Sequence, residues 1–148
     1  MTTTPDQQPL TGRHIGETEN ALRAILDRLL AEADTSFHQW VLLNAVGTTE
    51  PALTPGHAVD RVAHGLKADP AVVRATLDGL LALGLLVVVD DHLQLTASGT
   101  ARFEQIRAGV QAVTGRLYRD IPLADLVTAR QVLETVTARA NAELAATR

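Results

Sequence analysis

Cysteine is absent from the 148 residues, and its absence excludes several kinds of chemistry. Without thiols the chain cannot form a disulfide scaffold, a thiolate zinc site or a cysteine nucleophile. Aromatic residues make up only 3% of the sequence, so Leu, Val and Ala must supply most of the hydrophobic core. Because Ala and Leu carry a low free-energy cost in helices, this composition favours a mainly helical protein. A chain of this length suits one domain and buries roughly two-thirds of its unfolded surface, so it needs no structural metal.

Long hydrophobic runs and an excess of basic residues are absent as well. The longest apolar stretch, Leu80 to Val89, is interrupted by Gly84 and is too short to span a bilayer. The first residues are polar and lack the basic and apolar regions of a secretory signal, so we expect a cytoplasmic protein with no membrane partner. The formal net charge of -4 counts against a non-specific nucleic-acid binder. It leaves a specific one open, because the charge at the docking face matters more than the total.

The spacing of apolar residues predicts a helical domain over residues 12–148, preceded by a disordered polar tail at 1–11. Ser36 and Gln39 have the spacing of a capping box, and Asp69-Pro70 combines an N-cap acceptor with proline at the first helical position. The predicted helices cover about residues 13–33, 36–47, 57–66, 70–83, 97–118 and 122–144.

A β-hairpin is predicted between the fourth and fifth helices. The run from Leu85 to Val89 is β-branched and too short for a helix, Asp90-Asp91 forms a turn, and His92 to Thr96 alternates polar and apolar residues. Two short helices with a tight turn, followed by a hairpin, form a winged helix-turn-helix. In that arrangement the second helix of the pair enters the major groove of DNA.

Four stretches follow one another in the order and spacing of a known family. They are Phe37-His-Gln-Trp-Val-Leu-Leu43, Val72 to Leu80 with Gly84-Leu85-Leu86, Leu95-Thr-Ala-Ser-Gly99, and Leu123-Ala-Asp-Leu126. With them the chain, from about Arg13 to Leu144, resembles the MarR family of multiple antibiotic resistance regulators. The resemblance implies a winged helix-turn-helix lobe at 36–96, with N- and C-terminal helices at 12–34 and 97–146 that form a dimerisation hub.

The function that this resemblance implies is that of a transcription regulator, a repressor that binds a palindromic operator in double-stranded DNA as a homodimer. Arg74 is the strongest base-reading candidate on the recognition helix, although it could instead pair with Asp78 four residues later. The third helix supplies charges that could hold phosphates or simply be solvated. The candidate DNA contacts are Arg74, Ala71, Ala75, Thr76, Asp78, Arg61, His64 and Lys67.

The wing departs from the family pattern. Its tip, Val89-Asp-Asp-His92, is short and acidic, whereas family wings carry an Asp-x-Arg stretch whose arginine enters the minor groove. Each phosphate contact needs a cation, so we expect modest affinity and a shallow dependence on salt. The alternative function is therefore a winged-helix dimer with weak or lost DNA binding that acts as a protein-interaction or ligand-sensing module.

The resemblance also implies a pocket for a small aromatic or phenolic effector where the hub meets the lobe. Its candidate residues are His14, Arg13, Arg23, His38 and Trp40, among which an arginine could pair with an effector carboxylate. The alternative is that Trp40 belongs to the core and that the histidines are exposed.

Metal binding and catalysis are not predicted. His57, Asp60 and His64 share one helical face and are zinc-ligand types, but surface residues explain them as well. The sequence has no Gly-rich phosphate loop, no Gly-x-Ser-x-Gly and no His-Glu-x-x-His, so we expect neither an enzyme nor a cofactor.

The last third of the chain holds more apolar side chains than one small core can hide. A symmetric second copy would bury them. They are Leu117, Tyr118, Ile121, Leu126, Leu133 and Val136.

Overall fold

The computed structural model describes residues 7–147, in which six α-helices and a two-stranded hairpin follow one another. The first part of the predicted tail, residues 1–6, lies outside that range. The elements are α1 (Gly12–Glu32), α2 (Phe37–Thr48), α3 (Pro55–Leu66), α4 (Pro70–Ala82), β1 (Leu86–Val89), β2 (His92–Leu95), α5 (Ala97–Leu117) and α6 (Leu123–Ala146). The predicted fold class is confirmed. Two bounds differ from the predicted ones by two residues, the start of α3 at Pro55 and the end of α6 at Ala146. The start of α3 lies earlier because the Thr54 side chain caps the helix by accepting from His57 N at 3.2 Å.

The two capping signals act as the sequence predicts. Ser36 N donates to Gln39 Oε1 at 2.9 Å, and Gln39 N donates to Ser36 Oγ at 3.2 Å, so each side chain satisfies a free backbone donor at the start of α2. At the start of α4, Ala71 N donates to Asp69 Oδ1 at 2.9 Å. These bonds fix the first turns of the two helices that form the groove described below.

The connection between α3 and α4 is tight because one residue adopts the left-handed conformation. Lys67 has φ of 54° and follows the last residue of α3, where its N–H donates back to His64 O at 3.3 Å. Ala68 N donates to Ala63 O at 3.0 Å in the same turn. The chain can therefore leave α3 and enter α4 at Pro70 within three residues.

The hairpin closes through a two-residue turn of acids. Val89 pairs with His92, and the intervening Asp90 and Asp91 have φ of 51° and 65°. Positive φ at both central residues is the backbone pattern of a type I′ turn, and aspartate tolerates it better than most residues. The two strands pair from Leu86 opposite Leu95 to this tip, which leaves the acids at the end of the wing.

The main hydrophobic cluster lies among α2, α3, α4 and the hairpin. Each of these elements contributes at least one side chain that is nearly inaccessible to water. Displacement of any one element would therefore expose buried side chains of its neighbours. Its buried members are Leu42, Leu43, Ala58, Val59, Val62, Ala63, Val73, Leu77, Leu80, Leu85, Leu86 and Leu93.

A second cluster joins α1, α2 and α5. Trp40 stacks on Phe103, with ring centroids 5.8 Å apart, and Leu30 packs beside them. Next to it, Arg102 Nη1 of α5 donates to Asp34 O at 3.2 Å and to the buried Thr35 Oγ1 at 3.0 Å. The α1–α2 connection is therefore held to α5 by a charged donor as well as by packing.

The base of the wing is tied to α5 through Thr96. Its hydroxyl donates to Gly84 O at 2.6 Å, its backbone N–H donates to Leu85 O at 3.1 Å, and its Oγ1 accepts from Gly99 N at 3.0 Å. A Cβ at position 99 would collide with the Leu85 carbonyl. The Leu-Thr-x-x-Gly pattern thus provides a hydroxyl that joins two elements and a glycine that lets them approach.

The chain divides into two compact units, one up to Gln111 and one from Ala112. The second unit contains the end of α5 and all of α6, and no residue of α6 is buried. Among the described residues, no helix combines the length and the apolarity that crossing a membrane requires. The predicted division into a lobe at 36–96 and hub helices at 12–34 and 97–146 stays a prediction.

The packing at Gly99 gives a stability test. Gly99→Ala should lower the free energy of unfolding by about 1–3 kcal/mol, because the new methyl forces α5 away from the Leu85 carbonyl. Gly115→Ala is the matched control on the same helix, where a Cβ meets no described atom within 4 Å. It should stabilise the protein by about 0.5–1 kcal/mol. Urea unfolding measures both, and equal effects would contradict the close approach at Gly99.

Candidate nucleic-acid interface

One face of α4 packs against the main hydrophobic cluster of the first unit, and the opposite face is open to solvent. Val73, Leu77 and Leu80 are fully buried at the spacings of three and four residues that align side chains on a helix. Their burial turns the other positions outward. The outward-facing candidates are Ala71, Arg74, Ala75 and Asp78, which are exposed, and Thr76, which is half-buried.

Arg74 takes part in a weak pair on this face. Its Nε lies 3.8 Å from Asp78 Oδ1, and the two side chains are 54% and 65% exposed. An exposed pair at this helical spacing contributes only about 0.3–0.5 kcal/mol. Both readings of Arg74 from the sequence are therefore compatible, since the pair forms but costs little to break.

Few other polar groups on α4 are free to hydrogen-bond with an incoming molecule. The Thr76 hydroxyl donates to Val72 O at 3.0 Å, within the helix itself. Asp69 accepts from Ala71 N, as its capping role requires. The charged chemistry of the outward face of α4 thus rests on Arg74 and Asp78.

An open groove of about 560 Å³ lies between α4 and the first turn of α2. Its lining residues are Ser36, Gln39, Ala71, Val72, Ala75, Thr76 and Gly79. Sequence reasoning did not assign Ser36, Gln39 or Val72 to an interface. The helical period could have placed Val72 beside Ala75 and Thr76, three and four residues later, but nothing local in the sequence indicated that Ser36 and Gln39 lie opposite them.

The cationic side chains on and directly after α3 are arranged unequally. Lys67 Nζ donates to His64 O at 2.9 Å, so its ammonium group is partly engaged by the end of the preceding helix. Arg61 is exposed and lines a cleft of about 210 Å³ between α2 and α3, beside Asn44 and Thr48. Arg61, His64 and Lys67 are all exposed, and a hydrogen bond joins the last two.

The wing offers apolar and acidic surface. Val87, Val88 and Val89 are each 40% exposed or more, and the exposed Asp90 and Asp91 follow them. The His92 Nδ1 lies 2.7 Å from Asp90 O, which fixes the ring at the tip. No lysine or arginine occurs between residues 86 and 95, so the wing presents no permanent cation to a phosphate.

The effector candidates fall into two separate groups. Arg13 pairs with Glu17 at 2.8 Å, and His14 lies 2.9 Å from Thr11 Oγ1, both at the start of α1. Arg23 is ten residues further along α1, about 15 Å along the axis.

The second group surrounds Phe37. The Arg23 guanidinium lies 3.3 Å from the centre of the Phe37 ring and pairs with Asp27 at 3.2 Å, and the His38 ring lies edge-on to Phe37 at 6.0 Å. Trp40 is buried in the second cluster behind them. The structure brings Arg23 and His38 to one aromatic ring and leaves Arg13 and His14 elsewhere.

His57, Asp60 and His64 lie along α3 as the sequence places them. Within residues 7–147, no three His, Cys, Asp or Glu side chains come close enough together to hold a metal ion.

No protein-family model matches the chain, and no curated protein matches it in sequence. Solved structures do match its fold. The transcriptional regulator PA3341 is 24% identical with a TM-score of 0.73, and the match covers 88% of this chain and 97% of that one. CouR from Rhodococcus jostii RHA1, solved with p-coumaroyl-CoA, is 18% identical with a TM-score of 0.72 over 84% and 90% of the two chains.

A third match is the Mycobacterium tuberculosis MarR family protein Rv2887, solved in complex with DNA. It is 19% identical with a TM-score of 0.65 over 87% of this chain and 98% of that one. At these identities the likeness is one of fold. The chain has the winged-helix fold of MarR-family proteins, as the sequence predicted.

Proposed function

We propose that this chain is a DNA-binding transcription regulator that inserts α4 into the major groove. The observation that carries the proposal is the outward face of α4, which is open to solvent while Val73, Leu77 and Leu80 anchor the helix from behind. A rigid, exposed helix of this kind fits a major groove about 12 Å wide. A similar fold has been solved with DNA, in the Mycobacterium tuberculosis MarR family protein.

The charge distribution supports specific binding of modest strength. Arg74 can contact guanine or a phosphate, and Arg61 with Lys67 can contact the DNA backbone beside α4. The acids at the wing tip and Asp78 oppose the phosphates. Because few cations replace counterions, affinity should fall only gently as the salt concentration rises.

Replacement of Arg74 tests the role of α4. Arg74→Ala should weaken binding to the DNA upstream of the protein's own reading frame by about 1–3 kcal/mol, because a base or phosphate contact is lost. Fluorescence anisotropy at several salt concentrations measures both affinity and salt slope. The matched control is Arg28→Ala, which removes an exposed arginine of α1, outside α3 and α4.

Two outcomes would count against this role. If Arg74→Ala and Arg28→Ala changed the DNA affinity equally, Arg74 of α4 would not contact DNA. No preference of the wild type for any duplex, even at low salt, would favour the alternative of a protein-interaction or ligand-sensing module, for which the exposed Asp90 and Asp91 are the supporting observation.

The proposal includes a homodimer, which a palindromic operator requires because each half-site takes one copy of α4. The support is the exposed apolar surface of the second unit. Leu117, Tyr118, Ile121, Leu133 and Val136 are each more than 40% exposed, and Leu126 is half-buried. Exposed apolar side chains gathered in one unit suit a face that binds another chain.

Placing a charge on that surface tests the dimer. Leu133→Asp should convert a dimer into a monomer in light-scattering chromatography, because an unpaired carboxylate would be buried at the interface. Leu83→Asp is the control, since Leu83 is a 64% exposed leucine at the end of α4 in the first unit. A monomeric wild type would contradict the proposal, as would dissociation by both substitutions.

The proposal also includes repression that a small aromatic or phenolic effector relieves. Arg23, Phe37 and His38 supply a cation and two rings in one place, which suits an aromatic carboxylate. An effector there would have to exchange with Asp27 for the guanidinium. For release of DNA, it must bind one spacing of the two recognition helices more tightly than the other.

The only tryptophan of the chain, Trp40, provides a probe for this site. Titration with 4-hydroxybenzoate should change its emission saturably, and Arg23→Ala should weaken the apparent affinity about tenfold or more because a charged hydrogen bond is lost. Arg13→Ala tests the other group, and a larger loss there would place the carboxylate at the start of α1. No change in emission at millimolar 4-hydroxybenzoate, for the wild type, would contradict a site for this class of ligand.

A further inference from the structure

The part of α4 that faces the groove is apolar where a DNA-reading helix usually carries hydrogen-bonding side chains. Val72 is 50% exposed, and the methyl groups of Ala71 and Ala75 are exposed beside it. All three line the same open groove. The first half of α4 therefore presents a patch of methyl groups to whatever lies in the groove.

Three oxygens around this patch already take part in hydrogen bonds within the protein. Thr76 donates its hydroxyl hydrogen to Val72 O at 3.0 Å. Across the groove, Ser36 Oγ and Gln39 Oε1 accept from each other's backbone N–H groups. The Gln39 side-chain NH2 and the Ser36 hydroxyl hydrogen keep donor capacity, but they belong to the α2 side of the groove. A base edge in direct contact with Val72 therefore meets the carbon atoms of its side chain.

Among the groups that base pairs present in the major groove, the C5-methyl of thymine is the apolar one. Opposite Val72, that methyl would bury carbon surface on both sides without loss of a hydrogen bond. The amino group of cytosine, or the acceptors of guanine, would instead lose water without gaining a partner, which is unfavourable. An exposed valine at this position therefore selects for thymine and against a G·C pair.

We infer that Val72 reads the C5-methyl group of a thymine in each half-site, so that the operator carries an A·T pair at the position facing the first turn of α4. This inference rests on the proposed function and specifies its DNA sequence class. It assigns base selection on this side of α4 to an apolar contact, whereas Arg74 acts on the other side of the helix.

Replacement of thymine by deoxyuridine tests the inference, because the two bases differ only in the C5-methyl. A preferred duplex is first selected from random sequences with the full-length protein, and each thymine of a half-site is then replaced in turn. One position should lose about fourfold in affinity with the wild type, the value of one buried methyl. With Val72→Ala the same replacement should change the affinity less than twofold.

Leu83→Ala is the matched control, since it removes an exposed aliphatic side chain from the residue directly after α4, outside the groove. It should keep the full sensitivity to deoxyuridine. Circular dichroism and a melting curve establish that both variants fold, which exposed apolar-to-alanine changes on a helix should allow.

Three outcomes would overturn the inference while leaving a DNA-binding regulator intact. They are a selected half-site without thymine, equal affinity for every deoxyuridine duplex, and a methyl effect that persists undiminished in Val72→Ala. If no duplex is preferred and none binds, the proposed function fails, and the inference fails with it.

Discussion

The burial of one face of α4 is the constraint on which the rest of the first unit depends. Val73, Leu77 and Leu80 fill the space enclosed by α2, α3 and the hairpin, and all three are inaccessible to water. Because the helical period relates every side chain of α4 to these three, burial of Val73, Leu77 and Leu80 also fixes the directions in which the other side chains project. The composition of the exposed face thus follows from which residues are buried. The positions of Arg74 and Val72, on which the proposed DNA contacts depend, are set by the packing of the core.

Much of this architecture follows from local signals in the sequence. The Ser36–Gln39 capping box and the Asp69-Pro70 start both form as expected, because their hydrogen bonds involve residues at most three positions apart. The hairpin was also predictable, since a β-branched run precedes a turn of two acids and alternating polar and apolar residues follow it. The predicted helix at 57–66 left out Pro55, because proline is common both in loops and at the first position of a helix, so the residue alone does not distinguish them.

The candidate site was less predictable, because it depends on which side chains of different elements meet. The pairing of Arg74 with Asp78 was foreseeable from its spacing within one helix, whereas the groove between α4 and α2 was not. The same holds for Arg23, whose guanidinium contacts an aromatic ring fourteen positions later. Side chains on one helix obey a fixed period, but contacts between helices depend on packing that no local pattern encodes.

The acidic turn of the wing has a further consequence, for the behaviour of the protein in concentrated solution. Within the described residues β1 has a strand partner on one side only, whereas Leu93 N of β2 donates to Leu53 O at 2.8 Å, and Val87, Val88 and Val89 leave apolar carbon at the surface of β1. Such an edge invites sheet-like association between molecules. Asp90 and Asp91 place two negative charges directly after β1, so two approaching tips repel each other before the edges of their β1 strands can align. The acidic turn thereby opposes edge-to-edge association of hairpins from different molecules.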